Sequence, residues 1–285
     1  MFGYLKVLLD NIKFEHTIFA LPFAYLGMVL AANGLPTLHQ FIWITVAMAS
    51  ARTLAMSLNR LVDRELDARN PRTMGRPLPR GAISPRAVAL ISLAAFIFFE
   101  IAAWQLNPLC LVLSVPALVF LVGYHYAKRF TWLTHWILGF TDGIAAAGGW
   151  VAVRGSVDPL ALLLWFVVIV WIAGFDLIYA CQDVEVDRRD GLYSVPSRFG
   201  IGTALTLARV NHVVTVIALA VVGVIAGLGW LYWVGWVAVA ALLAYENAIV
   251  KPNDLSRLNL AFFNVNGYIS VLVLVSAALG LWTHA

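Results

Sequence analysis

Long apolar runs constrain this chain of 285 residues more than any other feature. Nine of them can be drawn: about 17–33, 38–58, 86–105, 107–126, 132–153, 159–180, 203–227, 230–249 and 259–282. A helix needs ~20 mostly apolar residues to cross a bilayer. Inside lipid every backbone polar group must be paired within the chain, so a spanning segment is a helix or part of a closed barrel. The runs are unbroken rather than ten-residue alternations, which excludes a barrel. The expectation is an all-α membrane protein with nine transmembrane helices in a bundle. Composition agrees: 62% of residues are hydrophobic and 12% charged, against roughly 25% charged in a soluble domain. A soluble globule, a disordered chain and a disulfide scaffold are excluded.

Turn-rich pieces separate many of the runs, such as Asn33-Gly34-Leu35-Pro36 and Lys251-Pro252-Asn253-Asp254. Cys110 and Cys181 lie inside apolar runs, with no metal or disulfide spacing, and read as small core residues. Lys6, Asp10, Lys13 and Glu15 precede the first run and no small-residue cleavage site follows it. A retained span is expected there rather than a signal peptide.

Of the 19 Lys and Arg, Arg154 alone falls in the loops of one side, and Arg52 and Arg209 fall inside spans. The rest gather on the other side. This asymmetry, with an odd number of spans, places the N-terminus and the two long loops, 59–85 and 181–202, in the cytoplasm. The net charge of +4 then reflects orientation and a local site, not a nucleic-acid partner.

Both long loops begin with an acidic cluster. Asn59, Asp63 and Asp67 are spaced i, i+4, i+8, within about 80° on one helix face. Arg52 lies on the same face, about two turns deeper. Asp176, Asp183 and Asp187 form a second stripe, with Tyr179 on its flank; Asp183 and Asp187 follow Asp63 and Asp67 by 120 residues. Oxygen-only ligands of this kind suit a hard cation such as Mg²⁺. Two carboxylate stripes repel one another unless a metal-bridged diphosphate lies between them. Arg72, Arg76 and Arg80, in a loop shaped by Pro and Gly, supply forks for phosphate. Tyr124, Lys128 and Arg129 end the fourth span at the same face. For a single Asp, a solvated loop charge is the simpler reading. Two same-face clusters at matching places, each ringed by Arg, point to a site.

These residues carry a resemblance. Asn59-x3-Asp63-x3-Asp67, Asp183-x3-Asp187 and Tyr124-x3-Lys128-Arg129, with nine spans, are similar to the UbiA superfamily of membrane-embedded prenyltransferases. The strings from Lys13 to Phe23 and from Phe175 to Arg189 most resemble its menaquinone-pathway branch, which is often grouped with 4-hydroxybenzoate polyprenyltransferases. Arg60 follows Asn59 where many ubiquinone-type members have Asp, which bears on the acceptor rather than on the metal positions.

The resemblance implies one prenyltransferase domain over residues 1–285, integral to a bacterial-type inner or cell membrane. It implies a central cavity, open to lipid and facing the cytoplasm. The implied reaction is Mg²⁺-dependent transfer of a polyprenyl group from polyprenyl diphosphate to a hydroxyaromatic acid, dihydroxynaphthoate-type or 4-hydroxybenzoate, in quinone biosynthesis. Asn59, Asp63 and Asp67 would hold one Mg²⁺, and Asp183 and Asp187 a second. Those four Asp residues and Asp176 are the implied catalytic set. Arg72, Arg76, Lys128, Arg129 and Tyr124 would bind diphosphate, and Arg52, Asp142 and Tyr179 the acceptor.

Several assignments stay open. Arg52 either binds the acceptor carboxylate or pairs with a structural Asp, and Asp142 either lines the acceptor pocket or is that partner. Asp176 would orient Tyr124, a metal-bound water or the acceptor hydroxyl. Glu100 and Glu246, near span ends, read as snorkelling or structural. Glu15 and His16 face the acceptor or anchor at the interface. The other histidines have no ligand spacing. Trp104, Trp150, Trp230, Trp233 and Trp282 are expected in the outer aromatic belt, and Trp132 and Trp136 in the inner. The alternative function is a multi-span secondary transporter with acidic cytoplasmic sites. Transporter sites usually lie near the midplane, whereas these clusters lie at helix ends.

Overall fold

The computed structural model describes residues 2–12 and 17–283, with side chains for 7–12 and 21–283. Glu15 and His16 lie outside the described residues. The described residues form helices joined by turns, with no β-strand among them.

Helix α1 (Phe2–Ile12) occupies what reads in the sequence only as a charged flank. α2 (Thr17–Ala32) follows, then α3 (Leu38–Val62) and the short α4 (Arg64–Arg69). α5 (Pro85–Leu106) and α6 (Pro108–Gly123) precede α7 (Thr134–Arg154) and α8 (Pro159–Ala180). Two short helices, α9 (Val184–Arg189) and α10 (Val195–Phe199), lead into α11 (Ile201–Ile225) and α12 (Trp230–Ile249). A wide π turn, Leu260–Val265, opens into α13 (Asn266–Trp282).

The helix ends are written in the sequence. Thr37 and Gln40 cap α3 reciprocally, each side chain taking the other's backbone N–H. Ser84 and Asn107 cap α5 and α6, each followed by a proline that has no N–H to leave unpaired. α7 stops on Gly155, whose φ of 68° favours glycine.

Eight segments are long and apolar enough to cross a membrane, and a shorter apolar stretch, Leu21–Ala32, lies in α2. The chain is an integral membrane protein. The ninth expected span corresponds to α2, of which Leu21–Ala32 has described side chains. The loops 59–85 and 181–202 need correction, because the end of α3, α4, α9 and α10 lie within them.

α2, α7, α8, α11, α12 and α13 pack side by side into a closed ring. Its core holds Phe23 and Leu26 of α2, Leu164 and Trp171 of α8, Leu219 of α11, Tyr232 of α12 and Ile269 of α13. α2 and α7 meet backbone to backbone. A Cβ on Gly27 would lie 2.0 Å from the Ala146 carbonyl oxygen, and one on Gly149 2.1 Å from that of Ala24. Lipid tails are as apolar as leucine, so such close packing is what favours one helix partner over lipid. α3 packs on α5, and α6 on α5 and α7.

One peripheral expectation changes and one open alternative closes. Trp150 is buried, its indole N–H donating to Asp158 at 2.8 Å, so it is a core residue rather than a belt residue. Glu246 is fully buried and accepts from the Asn266 amide at 2.8 Å, which makes it structural rather than snorkelling. Trp104, Trp230 and Trp282 are well exposed, as belt residues are.

Candidate functional site

The stripe Asn59, Asp63, Asp67 does not lie on one continuous helix. α3 ends at Val62; Asp63, at φ −97° and ψ 9°, leaves the helical path, and α4 restarts at Arg64. The break sends the two aspartates to different partners. Asp63, 2% exposed, accepts from Lys128 Nζ at 2.5 Å and Arg129 Nη2 at 3.1 Å. Asp67 takes Arg76 Nη1 on both oxygens, at 2.6 and 2.7 Å, with Arg60 4.0 Å away. The Asn59 amide donates to Asp63 at 3.3 Å and contacts Nδ1 of His125 at 3.4 Å, while its carbonyl accepts from Arg60 at 3.1 Å.

The second stripe is broken likewise. α8 ends at Ala180, and a tight 3₁₀ turn over Cys181–Asp183 precedes α9. Asp183 accepts from Arg72 Nη2 at 2.6 Å, Arg72 Nε at 3.0 Å and the Asn70 amide at 3.1 Å. Partial burial works against the Arg72 charge, but the Asp183 hydrogen bonds and the nearby Tyr179, Asp183 and Asp67 leave its pKa raised. The two motifs are thus tied together through the 70–72 turn. Asp187 differs from the other three: its partner is the Ser194 hydroxyl, which donates at 2.8 Å.

Around the carboxylates of Asp63, Asp67 and Asp183 stand Arg60, Arg72, Arg76, Lys128 and Arg129. The cations outnumber these carboxylates, and the surplus attracts a polyanion. Arginine forks suit phosphate oxygens. The carboxylates meanwhile hold the long basic side chains in place.

Beside this cluster lies a cavity of about 440 Å³ between α3, α5, α6, α7 and α8. Its polar lining includes Arg52, Tyr124 and Asp142; most of the remainder is alanine, glycine, leucine and phenylalanine. Tyr124 lines the cavity, and its ring lies 3.9 Å from that of His125, which contacts Asn59, so it marks the junction of cavity and cluster. The structure therefore brings Arg52, Asp142 and Tyr124 together.

It does not bring Tyr179 to them. The Tyr179 hydroxyl accepts from Arg72 Nη1 at 3.1 Å, and its ring stacks on Phe262 at 3.9 Å. The residue belongs to the cationic cluster, because Arg72, in the turn after α4, reaches across to it and to Asp183. Asp176 is bonded to Nδ1 of buried His135 at 2.7 Å.

Sequence reasoning missed several residues of the site. Arg60 is 4% exposed and also donates to the Asn11 carbonyl of α1 at 3.1 Å. Asn70, His125, His135 and Ser194 were not singled out. An arginine directly after a motif asparagine was visible, but nothing local shows that it points inward.

Comparison with known proteins fits this geometry. A 4-hydroxybenzoate octaprenyltransferase from Xanthomonas campestris is 34% identical over 88% of this chain and 83% of its own length. One from Photobacterium profundum is 28% identical over 89% and 88%. The solved apo structure of a UbiA homolog from Aeropyrum pernix K1 superposes with a TM-score of 0.84 at 32% identity, covering 92% of this chain and 96% of that one. A UbiA homolog from Archaeoglobus fulgidus, solved with DMAPP and Mg²⁺, shares the fold at a TM-score of 0.72 and 20% identity, covering 95% and 98%. The profile of the UbiA prenyltransferase family matches residues 20–283, and the chain belongs to that family.

Proposed function

We propose that this chain transfers a polyprenyl group from polyprenyl diphosphate to a hydroxyaromatic carboxylic acid, 4-hydroxybenzoate or a dihydroxynaphthoate, in isoprenoid quinone biosynthesis. It does so as one domain at the cytoplasmic face of a bacterial inner membrane. One observation carries the reading: a cluster of cations held by the motif aspartates adjoins, at Tyr124, an apolar cavity with a charged head. That is the shape of a diphosphate joined to an apolar tail and meeting an anionic aromatic. The name of the Xanthomonas relative supports 4-hydroxybenzoate as acceptor. The Archaeoglobus homolog, bound to DMAPP and Mg²⁺, supports an allylic diphosphate and a divalent metal.

The donor set fits that metal only in company. Among the described residues no three His, Cys, Asp or Glu are grouped to hold an ion alone. Mg²⁺, however, needs only one or two carboxylates and completes its shell with water and substrate phosphates. Asn59, Asp63 and Asp67 would hold one ion, and Asp183 and Asp187 a second. When bound, the metal stabilises charge on the departing diphosphate.

The chain's own residues do the rest. Arg72, Arg76, Lys128 and Arg129 bind the diphosphate as the allylic C–O bond breaks and its electron pair leaves with the diphosphate. The electron-rich ring carbon of the acceptor then bonds the allylic carbon, and its proton passes to the released diphosphate. The apolar cavity wall keeps water from the allylic cation. Arg52, with Asp142 and Tyr124, orients the acceptor.

The test is a transfer assay on protein in lipid nanodiscs. It offers both acids with prenyl diphosphates of several lengths, with and without a divalent-metal chelator. Product is expected with one of the acids, lost on chelation and restored by Mg²⁺. No product with either acid, or transfer indifferent to chelation, overturns the reading.

A hydrogen bond to a charged group contributes about 1.5–3 kcal/mol. Arg52→Ala should therefore raise the acceptor KM about ten- to hundredfold and leave the donor KM within about twofold. An equal rise in both constants refutes the acceptor role of Arg52.

A further inference from the structure

We propose that His135 is a positioning residue for Asp187, acting through the loop that joins α9 to α10. The proposal rests on the reading that Asp187 helps to hold the metal and diphosphate.

His135 sits in the first turn of α7 and is 1% exposed. Its Nε2 accepts the backbone N–H of Val195 at 3.2 Å, so Nε2 carries no proton. The ring proton is then on Nδ1, which donates to Asp176 at 2.7 Å. Asp176 thereby fixes both the tautomer and the tilt of the ring, as carboxylates do behind working histidines.

Val195 is fully buried, and its N–H has His135 as partner. The residue before it, Ser194, is the cap of α10. The Ser194 hydroxyl accepts from Ser197 N–H at 3.3 Å and donates to Asp187 Oδ2 at 2.8 Å. The backbone on either side is pinned too. Leu192 N–H donates to the Asp187 carbonyl at 2.8 Å, and Tyr193 N–H to the Lys128 carbonyl at 2.7 Å. One path thus runs from Asp176 through His135 and the 194–195 peptide to the Asp187 carboxylate. It also meets the segment that carries Lys128 and Arg129 to the first motif.

The motif aspartates are oriented differently. Basic side chains hold Asp63, Asp67 and Asp183. Ser194, a neutral donor, holds Asp187, so an incoming cation displaces no ion-paired side chain from its carboxylate. A hydroxyl orients only as well as its own backbone is held, and His135 holds that backbone. Asp176, expected in the catalytic set, is assigned here to positioning.

The experiment measures Mn²⁺ binding by electron paramagnetic resonance on purified full-length protein in nanodiscs, with inorganic diphosphate present. Loss of a group that orients a metal ligand typically costs about 10- to 100-fold in affinity. His135→Ala and Ser194→Ala should each weaken Mn²⁺ binding at least about tenfold. Ser194→Thr, which keeps hydroxyl and cap, should stay within about twofold of the parent protein. If His135→Ala fails to fold, His135→Phe, which keeps the bulk of the ring and removes the acceptor of the Val195 N–H, takes its place beside the Ser194 pair.

Asp187→Ala is the reference. If it weakens binding while either folded alanine variant, His135→Ala or Ser194→Ala, binds as the parent does, the positioning proposal is overturned and the site reading stands. If Asp187→Ala has no effect, the site reading fails and the proposal with it. Equal weakening by Ser194→Thr and Ser194→Ala assigns the effect to packing and also overturns the proposal.

Discussion

Asp63→Ala and Asp183→Ala each abolish prenyl transfer, by a factor on the order of 10³, and leave the protein inserted and folded. Losing a single preorganised stabiliser of developing charge already costs roughly 10²–10³ in rate. Each of these aspartates also orients basic groups proposed to bind the diphosphate. Asp63 holds Lys128 and Arg129; Asp183 holds Arg72 and Asn70. Each substitution thus removes a proposed metal ligand and frees the cations beside it. The fold survives because those cations can rehydrate. The side chains of Lys128, Arg129 and Arg72 are 32%, 27% and 32% exposed, and partly exposed pairs contribute little stability. Product formation from labelled donor, read beside size-exclusion elution and helical circular dichroism, checks both halves. Full activity in either folded variant refutes the two-motif site.

Gly148→Trp shifts donor selection towards short chains. Gly148 lines the cavity, and a Cβ built on it meets no atom within 4 Å. A side chain there enters open space rather than a packed wall. Along α7 it stands six residues beyond Asp142, about 9 Å at 1.5 Å per residue, with about 6 Å more to Ala152. An indole at that level fills the inner part of the cavity that an apolar tail would occupy. Burying a CH₂ contributes about 0.8 kcal/mol, so excluding the five carbons of one isoprene unit forfeits about 4 kcal/mol. The ratio of kcat/KM for long over short donors should fall by roughly 10²–10³. Mass spectrometry of products from mixed donors measures that ratio directly. An unchanged ratio in active Gly148→Trp protein places the tail outside this cavity.

Much of the architecture was legible because it follows from local rules. Unbroken apolar runs have few alternatives to helices in a bilayer. The caps at Thr37, Ser84 and Asn107 and the stop at Gly155 mark helix ends by backbone chemistry that neighbours alone decide. The acidic stripes were legible for the same reason, since helical periodicity aligns Asn59, Asp63 and Asp67.

Periodicity also misled. It presumes a continuous helix, and both stripes break, at Asp63 and across Cys181–Asp183. Those breaks gave Asp63 and Asp67 separate basic partners where one shared face was expected. Spacing along α8 could not show that Arg72, from a distant turn, meets Tyr179. Trp150 and Glu246 were misjudged or left open because a position near a helix end does not say which way a side chain points. Trp150 turns inward to Asp158, and Glu246 to Asn266.

The sequence by itself determined that the chain enters a membrane, that it is helical and that its aspartates gather in two motifs at helix ends. Each of these depends on hydropathy and spacing over a few turns. The tertiary structure alone decided which cation meets which aspartate, and that Arg52, Asp142 and Tyr124 share one cavity. It alone disclosed that a histidine with no motif around it sits behind Ser194 and Asp187. Those contacts join residues such as Arg72 and Asp183, or His135 and Val195, that are 111 and 60 positions apart. Short-range helical periodicity carries no information about pairs at that distance; the packing of the bundle sets them.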